Sequence, residues 1–139
     1  MELQDGEGGL QKPFGNIHRT IFASGVRDET HNSQDFDNLS HRGVQLVLDI
    51  TAETAGGSTH TIVVTIQGKD PTSGKYYTLL QGASKTATGT TLMTVHPSVT
   101  ASANVAAAFA LPRTWRVLVT HTADGASDMT YSIGADLIP

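Results

Sequence analysis

Val44-Gln45-Leu46-Val47-Leu48-Asp49-Ile50-Thr51 places a large aliphatic residue at every second position. A period of two is that of an extended strand with one face buried. Val44, Leu46, Leu48 and Ile50 belong to that face. Gln45, Asp49 and Thr51 alternate with them.

The same rhythm recurs on both sides. His60 to Gln67 sets Ile62, Val64 and Ile66 on one face. Thr114 to Thr122 does so with Trp115, Val117, Val119 and His121. Met129, Tyr131, Ile133, Ala135 and Leu137 alternate in a last strand. Ile17–Gly25, Tyr76–Gln81 and Thr91–His96 have strand composition, and Pro97 stops the last of these. Turn residues separate the runs: Ala55-Gly56-Gly57-Ser58, Lys69 to Lys75 and Asp124-Gly125-Ala126-Ser127. In the second, Pro71 fixes φ and Gly74 supplies a positive φ. Residues 27–42 read as a polar loop, and residues 82–90 as a loop or short edge strand. Residues 102–111 are ambiguous: alanine favours helix and Asn104 would cap one, yet an irregular strand fits as well. The expectation is all-β, a single β-sandwich, Ig-like or jelly-roll, of about seven or eight antiparallel strands.

Residues 1–16, MELQDGEGGLQKPFGN, are Gly-rich and aperiodic and read as an extended N-terminal arm before a sandwich domain at 17–139. Leu3, Leu10 and Phe14 are the arm's large apolar groups and its candidate anchors on a neighbour.

Composition narrows the functional classes. The 139 residues form one domain, with no cysteine for disulfides or thiolate metal sites. Charged residues are 16%, below the usual quarter, and 19 threonines fill the gap. No stretch approaches the ~20 apolar residues of a membrane span, and residues 1–5 lack the features of a secretory signal. Net charge is −4 and basic residues do not cluster, which argues against nucleic acid. Trp115 between Arg113 and Arg116 reads as a core residue rather than a stacking platform.

Six histidines (His18, His31, His41, His60, His96 and His121) show no metal-binding spacing. The local group His31, Asp35, Asp37 and His41 suits a solvated loop better than a metal site. No nucleophile elbow, phosphate loop or pair of carboxylates in apolar context is present. The expectation is therefore no enzyme, no cofactor and no metal. Residues 71–123 contain no acid but carry Lys75, Lys85, Arg113 and Arg116, whereas residues 1–37 hold seven acids and three bases. This asymmetry suits docking between copies or onto a host surface, with Lys75 and Arg113 as interface candidates.

A string of motifs then carries a resemblance. His41-Arg42-Gly43-Val44 leading into Val47-Leu48-Asp49-Ile50-Thr51-Ala52 is similar to a strand of small virion proteins of tailed phages. Thr65 to Pro71, Ser73 to Tyr77, Thr86 to Thr90, Val95-His96-Pro97 and Leu111 to Val117 continue it in order, over roughly residues 17–139. The resemblance implies a head decoration or minor capsid protein, made in the host cytoplasm and located on the capsid surface. The implied partners are the major capsid protein and further copies of the chain, with a trimer favoured. Alternatives are a tail or head–tail connector component, or a surface carbohydrate-binding module using Tyr76, Tyr77 and Trp115.

Overall fold

Among the described residues ten strands, β1 (Ile17–Arg27), β2 (His31–Asn32), β3 (Phe36–Asp37), β4 (Gly43–Thr54), β5 (Thr61–Lys69), β6 (Tyr76–Gln81), β7 (Gly89–Val95), β8 (Ala106–Ala107), β9 (Thr114–Thr122) and β10 (Asp128–Ile138), make up the fold. The structure is a computed structural model and describes residues 15–54, 60–122 and 127–139. Leu3, Leu10 and Phe14, the turn at 55–58 and most of the turn at 124–127 lie outside the described residues.

The pairing is nested. β5 turns back as β6, β4 pairs with β7, β2 and β3 pair with β9, and β1 pairs with β10, all antiparallel. The chain is thus one ribbon folded at residues 70–75. Rolling the ribbon sets β10 beside β4 and β9 beside β5. Two sheets result: β1-β10-β4-β7-β8, and β2-β9-β5-β6 with β3 also on β9. With β2 and β3 taken as one interrupted strand, this is jelly-roll wrapping, which resolves the choice left open by the strand pattern.

The alternating rows meet between the sheets. Val44, Leu46, Leu48, Ile50, Met93, Val95 and the β10 row come from one sheet. Ile62, Val64, Ile66, Trp115, Val117 and Val119 come from the other, with Phe36 packed on Trp115 at 5.1 Å between ring centres. At the folded end, Asp70 accepts from the Thr72 amide (3.0 Å) and the Ser73 hydroxyl (2.7 Å), and Gly74 takes φ 75°.

The all-β sandwich is as expected, and its details differ in three places. Seven strands have six residues or more, and three further strands have only two. β8 runs parallel to β7, so the sandwich is not wholly antiparallel. Residues 27–42 are not all loop, because β2 and β3 dock on β9. Residues 102–111 contain no helix: Asn104 lies at φ 66° in a turn, and the Val105 and Ala107 carbonyls accept from Thr94 and His96. Pairing with the β7 edge outweighs the helix preference of alanine.

Candidate functional site

Three neighbourhoods hold the side chains with functional potential. The first is the start of β1. β1 ends its sheet, and Ile17, His18, Arg19 and Thr20 are all exposed. An ordinary sandwich strand alternates, so a run with both faces open is a strand without cover among the described residues. Beside it lies a shallow groove of about 190 Å³ lined by Ile17, Leu39, His41 and Leu137 among others. Leu39 is 76% exposed. Buried His41 donates from Nε2 to the Gly15 carbonyl at 2.9 Å, fixing the point where the chain enters β1. Asn38 in turn holds the His41 loop, donating to the His41 carbonyl (2.7 Å) and the Leu111 carbonyl (3.1 Å).

The second is the hairpin end of the β9-β5-β6 sheet. Lys75 stands exposed in the β5–β6 turn, and Arg113 precedes β9. Gly68 pairs with both Trp115 and Tyr77, so both cations belong to the same end of that sheet. Arg113 approaches Asp37 at 4.0 Å with both side chains 71% exposed, too loose and too wet to neutralise it. Nearby, Tyr76 donates its hydroxyl to Asp35 at 2.7 Å, Lys69 pairs with Asp35 at 3.0 Å, and the Arg116 guanidinium lies 3.4 Å from the centre of the Tyr76 ring. The Tyr76 hydrogen bond, followed by Lys69, holds the Asp35 carboxyl below its ordinary range.

This arrangement bears on the aromatic candidates. Trp115 is fully buried, so it offers no face to a base or a sugar. One face of Tyr76 is covered by Arg116. Tyr77 is half-exposed, and it packs over Gly68, where a Cβ would lie 2.6 Å from its ring. The loop group His31, Asp35, Asp37 and His41 also disperses: His31 turns to Tyr131, Asp35 to Tyr76 and Lys69, and His41 to Gly15.

The third neighbourhood joins the sheets near one end. His60 Nε2 lies 2.8 Å from His121 Nδ1, His121 Nε2 lies 2.9 Å from the Tyr131 hydroxyl, and that hydroxyl lies 3.2 Å from His31 Nε2. His31 Nδ1 sits 3.0 Å from the Glu29 carbonyl, which can only accept. His121 spends its two nitrogens in opposite directions. The imidazoles therefore form a chain rather than converging on one point, and no group of three such side chains among the described residues is set to hold a metal ion. Burial first, and then His60 and His31, push His121 down to about 4. Burial pushes the Tyr131 phenol up.

Sequence reasoning missed this chain because its members are scattered along the chain and meet only through sheet pairing. His121 pairs with Ile62, beside His60, and His31 pairs with Val119. The available signal was parity, since His121 and Tyr131 fall in phase with buried rows.

No family model, curated protein or solved structure matches the chain. The class is set by the fold: a jelly-roll β-sandwich, whose edge strand β1 is exposed over Ile17–Thr20 among the described residues.

Proposed function

We propose that this chain is a structural protein of a tailed-phage particle, which binds the outside of the assembled head as a decoration protein and stabilises the joints between capsomers. The carrying observation is the uncovered run Ile17–Thr20 on edge strand β1, continuous with the arm. A strand open on both faces and along one edge is a template for another chain. The ordered motif string over residues 17–139 supports the phage assignment. Jelly rolls recur in viral shells and also in lectins, so the fold contributes analogy only.

The mechanism involves no chemistry. A protein that binds the assembled shell and not free coat protein stabilises the shell by mass action. Several weak contacts in a symmetric oligomer, a trimer in this proposal, add through avidity. Ordering the arm costs about 1–2 kcal/mol per residue, while Leu3, Leu10 and Phe14 each return about 1.5–3 kcal/mol when buried. The remainder must come from main-chain hydrogen bonds, which the outer edge of β1 is placed to make.

The test is reconstitution on particles stripped of the protein. The full chain is expected to bind in hundreds of copies, and a chain lacking residues 1–14 to fold normally but bind more weakly. Equal occupancy of both would remove the arm from the mechanism. A few copies at one vertex would instead favour a connector role, and no binding to heads or tails would overturn the proposal.

A further inference from the structure

We propose that His60, His121, Tyr131 and His31 form an acid-operated latch between the two sheets, closed at neutral pH and opened by protonation of His121. The inference is independent of the assembly role. It rests on the direction in which the protons must point.

The Glu29 carbonyl cannot donate, so His31 Nδ1 carries a proton and gives it to that carbonyl. A neutral His31 then has a bare Nε2, and the Tyr131 hydroxyl donates to it. The phenol oxygen accepts from His121 Nε2–H, which leaves His121 Nδ1 bare to accept from His60 Nε2–H. His60 Nδ1 ends the chain as a bare lone pair, and it has no partner among the described residues although His60 is 1% exposed. Every neutral ring has one consistent tautomer, set from one end.

A second proton on His121 breaks this order. Nδ1 becomes a donor and faces the His60 N–H at 2.8 Å. If His60 moves its own proton to escape, it places an N–H at Nδ1, where no acceptor stands among the described residues. Either outcome leaves a buried donor unsatisfied, the costly case for a polar group. The surroundings do not compensate. Arg27 from β1 and His31 from β2 oppose the charge, as does His60 ahead of β5; among the described residues Asp28 favours it, and Tyr131 from β10 is neutral. Tyr131 is the member from the first sheet, while His31 and His121 belong to the second. The charged ring, which is half-exposed, escapes the conflict by turning out to solvent, and that movement also takes Nε2–H away from the Tyr131 hydroxyl, releasing a polar tie between layers at the end where β1 passes into β2.

The test is amide hydrogen exchange with NMR titration of the histidine rings. Going from about pH 7 to about pH 4.5, amides of Gly25–Arg27, His31–Asn32 and Met129–Tyr131 should lose about 10- to 100-fold in protection after correction for intrinsic rates, because a ring held near 4 reverts to 6.5 on opening. Core amides of Leu46–Leu48 and Val64–Ile66 should change much less. Tyr131→Phe removes the tie between the sheets, so protection at these amides should already be low at about pH 7 and the local pH response should flatten. Should that variant fail to fold, the ring nitrogens of the unmodified protein report directly: His121 is expected to be protonated at Nε2 and bare at Nδ1 near neutrality. The opposite tautomer, or His121 charging near 6.5 with no change in local protection, would overturn the proposal.

Discussion

Arg27 donates to the Tyr131 carbonyl at 2.8 Å and lies 4.8 Å from the centre of the Tyr131 ring. The contact follows from irregular pairing. β1 shifts register twice against β10, between Thr20 and Phe22 and between Phe22 and Gly25. Each bulge frees main-chain groups from the ladder. The Arg27 guanidinium collects them, donating also to the Ala23 carbonyl (2.7 Å) and the Gly25 carbonyl (3.2 Å). Arg27→Met should therefore destabilise the fold by about 1–3 kcal/mol in urea unfolding, and Arg27→Lys should recover little, since an ammonium lacks the planar fork. A midpoint unchanged in Arg27→Met would mean that water serves these carbonyls equally well.

Trp115 poses a different problem. It is fully buried, and its indole N–H has no acceptor among the described residues. Trp115→Ala should cost about 3–5 kcal/mol through the cavity it leaves. Trp115→Phe should cost under about 2 kcal/mol, because losing an unpaired donor offsets part of the lost volume. Equal losses for the two variants in chemical unfolding would show that the indole N–H is satisfied.

These two residues also mark the limits of what the sequence discloses. The Trp115 row, the β4 and β5 rows and the β10 row were legible because strict alternation maps directly onto one buried face. The β1 face was not, because two bulges place Ile21 inside and Phe22 half inside, which breaks the period. β4 shows the same effect on a smaller scale: its pairing with β10 shifts between Thr130 and Tyr131, and Thr51–Thr54 beyond it are exposed. The short strands β2, β3 and β8 carry too few residues to show any period. The histidine–tyrosine chain depends on register between distant strands, which no local pattern encodes.

The β5–β6 turn offers a test of backbone conformation without packing. Gly74 lies at φ 75°, and a Cβ there would meet nothing within 4 Å. Gly74→Ala should then cost about 1–2 kcal/mol, all of it conformational, and Gly74→Asn should cost less, since Asn tolerates the left-handed region. Thermal unfolding of both variants checks the order. Alanine equal to glycine would contradict the turn geometry.

Lys75 and Arg113 test the proposed attachment. Both are exposed at one end of the second sheet, within the acid-free stretch 71–123. Reversing them together, Lys75→Glu with Arg113→Glu, should leave urea unfolding within about 0.5 kcal/mol, as expected for surface changes. The pair should slow docking to particles at low salt, with the difference shrinking as ionic strength rises. Docking rates that ignore both salt and charge reversal would remove the electrostatic term from the mechanism.

The pH dependence of stability follows from His121 and Tyr131 together. His121 is held near 4 when folded against an ordinary 6.5. Between those values the unfolded chain binds more protons, so stability rises with pH through this window. The contribution is full above about 6.5, falls as pH drops toward about 4, and then levels off; for a half-buried ring it amounts to about 2–3 kcal/mol. Tyr131 acts at the other limit. Its phenol is raised above the ordinary 10.0 when folded, so the unfolded chain ionises first and stability declines once pH passes about 10. Asp35 and Asp70, both lowered through hydrogen bonds led by Tyr76 and Ser73 respectively, add their losses at more acid pH, below the ordinary carboxylate value of 3.8. Urea unfolding across pH should thus show a plateau from about 6.5 to 10, an acid shoulder assigned to His121, and a further drop near 4 and below. His121→Gln should erase the shoulder and leave the lower drop in place. A shoulder that survives this substitution would transfer the effect to another group and detach it from the chain between the sheets.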